Sequence, residues 1–379
     1  MEAYFDNAAT TRVSDGVRDT VLQLMQVDYG NPSSLHMKGV EAGRYIKTAA
    51  EDIAKVLKCQ PKELIFTSGG TESNNLALIG AAQAHKRQGN KIITSRIEHA
   101  SVLSAMDFLR EQGFEIVSIK TDEKGIVDMD ELASEVDDDT ILVSIMYVNN
   151  EIGSVQPIEE IARIIKEKNP ETIFHVDAIQ AFGKYVIYPK RMGIDMLSVS
   201  GHKLHGPKGS GFLYVSEHTR IKPIIYGGGQ QKGMRSGTEN VPAIAGLDVA
   251  VREAYEDLDE KVAHLYELKN HLIAGLTAYT DVYSNSGDAP HIASITFRGV
   301  RSEVMLHALE ERQIYVSAGS ACSSNKPHIS NVLTSIGLPS DRLESTVRFS
   351  FADENTIEQI DYAVAVVGEI LPMLRKYTR

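Results

Sequence analysis

Short apolar runs recur through the first two-thirds of the chain, and between several of them lie longer stretches with apolar positions three and four apart. A strand buried on both faces needs a continuous apolar run, whereas a period near 3.6 marks an amphipathic helix. Residues 64–67, 91–94, 115–119, 141–145, 173–176, 196–200 and 211–215 are therefore predicted strands, with helices at 71–88, 101–112 and 158–168. This alternation predicts βαβ units, a mainly parallel seven-stranded sheet in an α/β fold, and ligands at the carboxyl ends of the strands. A helical pattern over 242–278 then leads to predicted strands at 291–298, 314–317 and 347–351 and helices at 302–311 and 356–376. These make a smaller α+β domain. The expected division is a large domain of residues 12–255 and a small one of 1–11 and 256–379. Residues 4–11 join the small domain or the active site.

Composition narrows the classes. The 379 residues are 42% hydrophobic and 24% charged, an ordinary soluble mixture. A formal charge of −12 without a Lys/Arg-rich block disfavours direct grip on nucleic acid. No apolar run reaches the roughly 18 residues of a membrane span, and residues 1–7 lack a signal-peptide pattern, so a cytoplasmic protein is expected. The two cysteines, Cys59 and Cys322, form no metal-binding motif and suit a reducing compartment. His202 and His205 lie three apart with no acidic residue between them, and no resident metal is expected.

The predicted strand ends carry the candidate chemistry. Ser200-Gly201-His202-Lys203 puts an amine where an apolar strand meets a polar loop, and Asp177 ends another strand, where a buried carboxylate needs a partner. A lysine that forms a Schiff base and an aspartate that holds a pyridinium nitrogen are the pair pyridoxal phosphate (PLP) requires. A surface lysine is the competing reading of Lys203 alone. Thr67-Ser68-Gly69-Gly70-Thr71 follows a strand and opens a helix. Its N–H groups suit a phosphate with Thr71 as a ligand, and a plain N-cap fits the same residues. His99, at another strand–helix junction, either stacks on a flat ring and moves protons or simply begins a helix. Asn150 and Gln180 can address a ring oxygen, and Ser200 and His202 can add phosphate contacts. Residues 227–231 and 235–240 form either an anion-binding stretch or a long surface loop. Small residues surround Cys322, which makes its thiol a candidate mobile nucleophile on a loop of about 317–330. Arg348 lies in an apolar run and needs a carboxylate, from a substrate or from the chain itself.

The motifs at 30–34, 67–73, 98–99, 148–151, 175–178, 200–203, 235–238 and 319–322 resemble, in order, those of the cysteine desulfurases of the NifS/IscS type. The resemblance runs from Tyr4 to Phe351. It implies a PLP-dependent transferase fold of type I and a homodimer with PLP held on Lys203. By the same resemblance His99 stacks on the ring and assists proton transfer, Asp177 pairs with the ring nitrogen, and Asn150 and Gln180 meet the ring oxygen. Gly70, Thr71, Ser200 and His202 hold the phosphate, with Thr238 reaching in from the other subunit. Arg348 and Asn31 bind the substrate. Cys322 takes sulfur from L-cysteine, leaving L-alanine and a persulfide for an iron–sulfur scaffold protein, a tRNA-thiolation carrier or both. It is also a transient ligand for a cluster shared with a scaffold. The alternatives are selenocysteine lyase or another class V aminotransferase-like enzyme, and a non-catalytic scaffold. One stretch departs from the family: Asn325-Lys326-Pro327-His328-Ile329-Ser330 stands where many IscS relatives carry Glu-Pro-Ser, which bears on partner choice and loop reach.

Overall fold

The computed structural model describes residues 1–318 and 330–377. Its large sheet orders seven strands as Leu64–Thr67, Gly211–Val215, Met196–Ser200, Ile173–Asp177, Thr140–Met146, Lys91–Ser95 and Glu115–Ile119. All neighbours are parallel except Gly211–Val215, which runs antiparallel to both of its own. Alternate strand residues feed two cores, because successive side chains point to opposite faces. Phe66, Ile93, Val143 and Phe174 lie in one core, and Ile65, Ile92, Leu142 and Ile173 in the other. Burial on both faces is why these strands read as unbroken apolar runs.

A third core lies on a four-stranded antiparallel sheet ordered Ser317–Ala318, Thr346–Ser350, Ile292–Phe297 and Val282–Ser284. Helices Leu258–Thr277, Ser302–Glu310 and Ile357–Tyr377 supply apolar residues to it. The N-terminal segment serves both regions. Ala3–Tyr4 pairs in parallel with Ile314–Tyr315, and the carbonyls of Ala8 and Ala9 then accept from Lys203 Nζ.

Two expectations are corrected. The helical pattern over 242–278 is two helices, Val241–Tyr255 and Leu258–Thr277, because Asp257 takes a left-handed conformation (φ 51°) that an α-helix cannot continue through. The strand expected at 314–317 is also two, since Ile314–Tyr315 pairs with the N-terminus and Ser317–Ala318 with Thr346–Ser350. No helix among the described residues is long and apolar enough to cross a membrane.

Candidate active site

The carboxyl ends of the parallel strands and the loops that follow them open onto a cleft of about 460 Å³. Gly70, Thr71, His99, Asn150, Asp177, Gln180, Ser200, His202, Lys203 and Arg348 all line it, with Asp6, Ala8 and Ser101 among their neighbours. Asn31 and Thr238 are exposed and lie outside this lining. Cys322 and residues 325–329 fall outside the described residues.

Lys203 ends a short 3-10 turn after the strand Met196–Ser200. Its Nζ donates to the carbonyls of Ala8 (2.6 Å) and Ala9 (2.7 Å), so the N-terminal segment holds the amine at the cleft. The half-buried Lys184 donates from Nζ to the Lys203 carbonyl at 2.7 Å, and desolvation pushes the Lys184 ammonium down to about 8.

Asp177 and His99 are joined by two residues that the motifs did not flag. Asn74 Nδ2 donates to Asp177 Oδ2 (2.8 Å) and to Ser101 Oγ (2.9 Å). Ser101 Oγ lies 2.9 Å from His99 Nδ1, and the Ser101 backbone N–H donates to that same nitrogen. Nδ1 is therefore the acceptor, and the neutral ring carries its proton on Nε2. Burial raises the Asp177 carboxyl and lowers the His99 imidazole, so each is driven towards its uncharged form. A cation against Asp177 offsets that cost. In the sequence Asn74 sits in the polar run of residues 71–75 and Ser101 in the first turn of its helix, so neither signals this link.

At the phosphate-like end, Gly69 has φ 141° and ψ −169°, a conformation open essentially to glycine alone. A Cβ on Gly70 would stand 2.2 Å from Ile179 Cδ1. The helix Gly70–His85 starts without a side-chain cap, which leaves N–H groups for an anion. A second recess of about 360 Å³, lined by Gly69, Thr71, Ser200, His202 and Lys208, continues from the cleft at this point. His202 is held neutral by burial, with Lys203 and Lys208 adding to the effect, and falls to about 4. Burial favours a protonated Glu72, yet hydrogen bonds from Arg235 and Ser68 hold its carboxyl below the usual range. The Glu72–Arg235 pair, at 2.8 Å, ties the stretch leading to Thr238 to this helix start.

Arg348 is buried, and the partner it needed is Asp6: NH2 donates to Asp6 Oδ1 and NH1 to the Asn150 carbonyl, both at 2.8 Å. Its Nε has no partner among the described residues. The ion pair leaves donor capacity on Arg348, which also lines the cleft. Glu98 lies fully buried behind His99, taking Ser95 Oγ and the Met146 N–H on Oε1, and burial pushes it up to about 8. Among the described residues no group of three or more His, Cys, Asp or Glu side chains is arranged to hold a metal.

These residues fit PLP. A glycine-lined helix start suits its phosphate, a buried carboxylate its ring nitrogen, an imidazole its face and an amine its aldehyde.

Comparison with known proteins agrees. The Aminotransferase class-V family model matches residues 3–363. Cysteine desulfurase IscS of Methanosarcina thermophila is 42% identical over 375 residues, covering 98% of this chain and 92% of its own. Putative cysteine desulfurase IscS 1 of Bacillus subtilis (strain 168) is also 42% identical, over 376 residues, covering 98% and 99%. Among solved structures, a NifS-like protein superposes with a TM-score of 0.94 at 39% identity, over 99% of this chain and 100% of its own.

Proposed function

The chain belongs to the class-V aminotransferase family as a PLP-dependent cysteine desulfurase of the NifS/IscS type, and from that premise we propose how its residues divide the work. The observation that carries the proposal is the convergence of Lys203, Asp177, His99 and Arg348 on one cleft beside a glycine-lined helix start. When bound, PLP supplies an electron sink that makes the bond from substrate carbon to sulfur breakable.

The residues do the rest. Gly70, Thr71, Ser200 and His202 hold the phosphate, and Thr238 adds a contact from a second subunit. Asp177 keeps a proton on the ring nitrogen, with Asn74 fixing the carboxylate. Lys203 anchors the cofactor and moves protons at its Nζ, while His99 covers the ring and exchanges a proton at Nε2. Arg348 binds the carboxylate of L-cysteine, and Asn31 assists. The Cys322 thiolate then bonds to the substrate sulfur as the carbon–sulfur bond breaks. The carbon takes a proton, so L-cysteine and the Cys322 thiol become L-alanine and a Cys322 persulfide. An iron–sulfur scaffold, a tRNA-thiolation carrier or both receive the sulfur, and Cys322 is a transient ligand to a cluster shared with such a scaffold.

A homodimer fits the apolar side chains displayed at Leu22, Met25, Val27, Tyr29, Leu35 and Met37, of which Leu35 is 100% exposed. We assign residues 12–255 to a PLP-binding domain and the remainder to a small domain, in a cytoplasmic protein. The test is product analysis with L-cysteine, PLP and a thiol reductant. Equal alanine and sulfide, both lost in Cys322→Ser, supports the assignment. Release indifferent to Cys322 overturns it in favour of an aminotransferase-like reaction, and the cysteine-to-selenocysteine rate ratio separates it from a selenocysteine lyase.

A further inference from the structure

His291 stands immediately before the strand Ile292–Phe297 of the smaller sheet, and its backbone is fixed by the Phe351 N–H, which donates to the His291 carbonyl at 2.9 Å. The side chain is buried, at 2% exposure, beside the active-site cleft that belongs mostly to the other sheet. Its only hydrogen bond given by the described residues runs from Nε2 to Gln180 Oε1, at 3.2 Å. Gln180 in turn lies 2.9 Å from the carbonyl of Ala8 through Nε2, and that carbonyl also accepts the Lys203 ammonium.

This chain has one consistent set of directions. The Ala8 carbonyl accepts only, so the nitrogen of the Gln180 amide must face it. The amide oxygen then faces His291, and only an N–H on His291 Nε2 satisfies that oxygen. Burial holds the imidazole neutral, and Lys184, Lys269, Arg348 and Lys203 oppose a further positive charge, so the ring keeps one proton. Gln180 Nε2 bears two N–H groups. Ala8 takes one, and the other remains for the cleft that Gln180 lines. Were the amide reversed, an oxygen would stand against the Ala8 carbonyl and an acceptor would face the cleft.

We infer that His291 is a positioning residue for the cofactor site, which through Gln180 keeps an amide N–H rather than an amide oxygen turned towards the cofactor's ring oxygen. This deepens the reading given above and rests on it. Nothing in the strand pattern required a histidine here. An apolar residue would fill the same space at the start of a buried strand, but it would leave the Gln180 amide oxygen without a donor and the amide held by the Ala8 carbonyl alone. His291 thus couples the smaller sheet to the electronic state of a cofactor held by the larger one.

The test is a pH titration of the visible absorption of PLP-loaded protein. The ionised ring oxygen needs a donor, so His291→Leu and His291→Phe, which loosen the Gln180 amide without removing it, should raise the midpoint by roughly half to one pH unit, part of the worth of one hydrogen bond to a charged group. His291→Gln can place an N–H near the lost Nε2–H and should restore the midpoint to within about 0.3 unit of wild type. In a Gln180→Ala background, His291→Leu should add nothing further, because its effect passes through that amide. The other charged groups around the cleft, Asp6, His99, Asp177, Lys203, Arg348 and Lys184, are common to all these proteins. An unmoved midpoint in both donor-free variants overturns the inference. So does an equal shift in His291→Gln, or one that persists without Gln180. A wild-type protein that takes up no PLP colour would instead overturn the reading of the cleft.

Discussion

Replacing Asn74 with alanine probes the join between Asp177 and His99 with a single change. Asn74 is fully buried and donates two hydrogen bonds, at 2.8 Å to the Asp177 carboxylate and 2.9 Å to Ser101 Oγ. A bond to a charged group contributes about 1.5–3 kcal/mol and a neutral one about 0.5–1.5, so Asn74→Ala should destabilise the cofactor-free protein by roughly 2–4 kcal/mol. A second consequence follows from the electrostatics. Burial already raises the Asp177 carboxyl, and the Asn74 bond opposes that rise. Without it the carboxyl climbs further and is protonated over more of the working pH range, when it no longer pairs with a ring N–H. PLP affinity should fall about tenfold for each 1.4 kcal/mol of lost pairing, with the greatest loss at the acid end. The assays are urea unfolding of the cofactor-free protein and spectrophotometric PLP titration at pH 6, 7 and 8. Stability within about 0.5 kcal/mol of wild type, with an unchanged pH dependence of affinity, would show that Asn74 does not support the Asp177 carboxylate.

Other perturbations address other parts of the site. Glu98 is pushed up to about 8 by full burial, from a usual 4.5, so the folded chain keeps a proton that the unfolded chain releases. Wild-type stability therefore falls as pH rises through that window, at up to about 1.4 kcal/mol per pH unit, and Glu98→Gln should remove this slope. The variant's advantage over wild type in denaturant should then grow from pH 5 to pH 8. Gly69→Ala should cost about 1–3 kcal/mol, because φ 141° excludes a side chain, and should weaken inorganic phosphate and PLP binding together. Arg348→Lys replaces a fork that reaches both Asp6 and Asn150 with a single ammonium, and should raise KM for L-cysteine about tenfold or more while leaving PLP content intact.

The large sheet was legible because burial on both faces imposes unbroken apolar runs, and six of its seven strands are parallel. The reversal of Gly211–Val215 was not legible, since an apolar run carries no direction. Helices Asp15–Gln26 and Met37–Leu57 were harder to see. The latter buries mainly Gly39, Ala42, Ala49 and Ala54, small residues that give a faint periodic signal yet allow close packing on the helix Val241–Tyr255. In the site, Lys203, Asp177, His99, Thr71 and Arg348 announced themselves because each is a polar group at an apolar strand end or inside an apolar run. Asn74, Asp6 and His291 did not, because their partners lie elsewhere in the chain, and Ser101 and Glu98 did not, because only the fold adds Asn74 and the Met146 N–H to their local partners. The split of the pattern over 242–278 depends on an extended Glu256 followed by a left-handed Asp257, which no periodicity encodes.

In the proposed site Lys203, held by the carbonyls of Ala8 and Ala9, is the residue that carries PLP. Borohydride reduction of PLP-loaded protein, followed by peptide mass spectrometry, reads it directly. One modified lysine, Lys203, is expected, with no stable attachment in Lys203→Ala. A label on Lys184, Lys208 or any other lysine, with Lys203 unmodified, would contradict it.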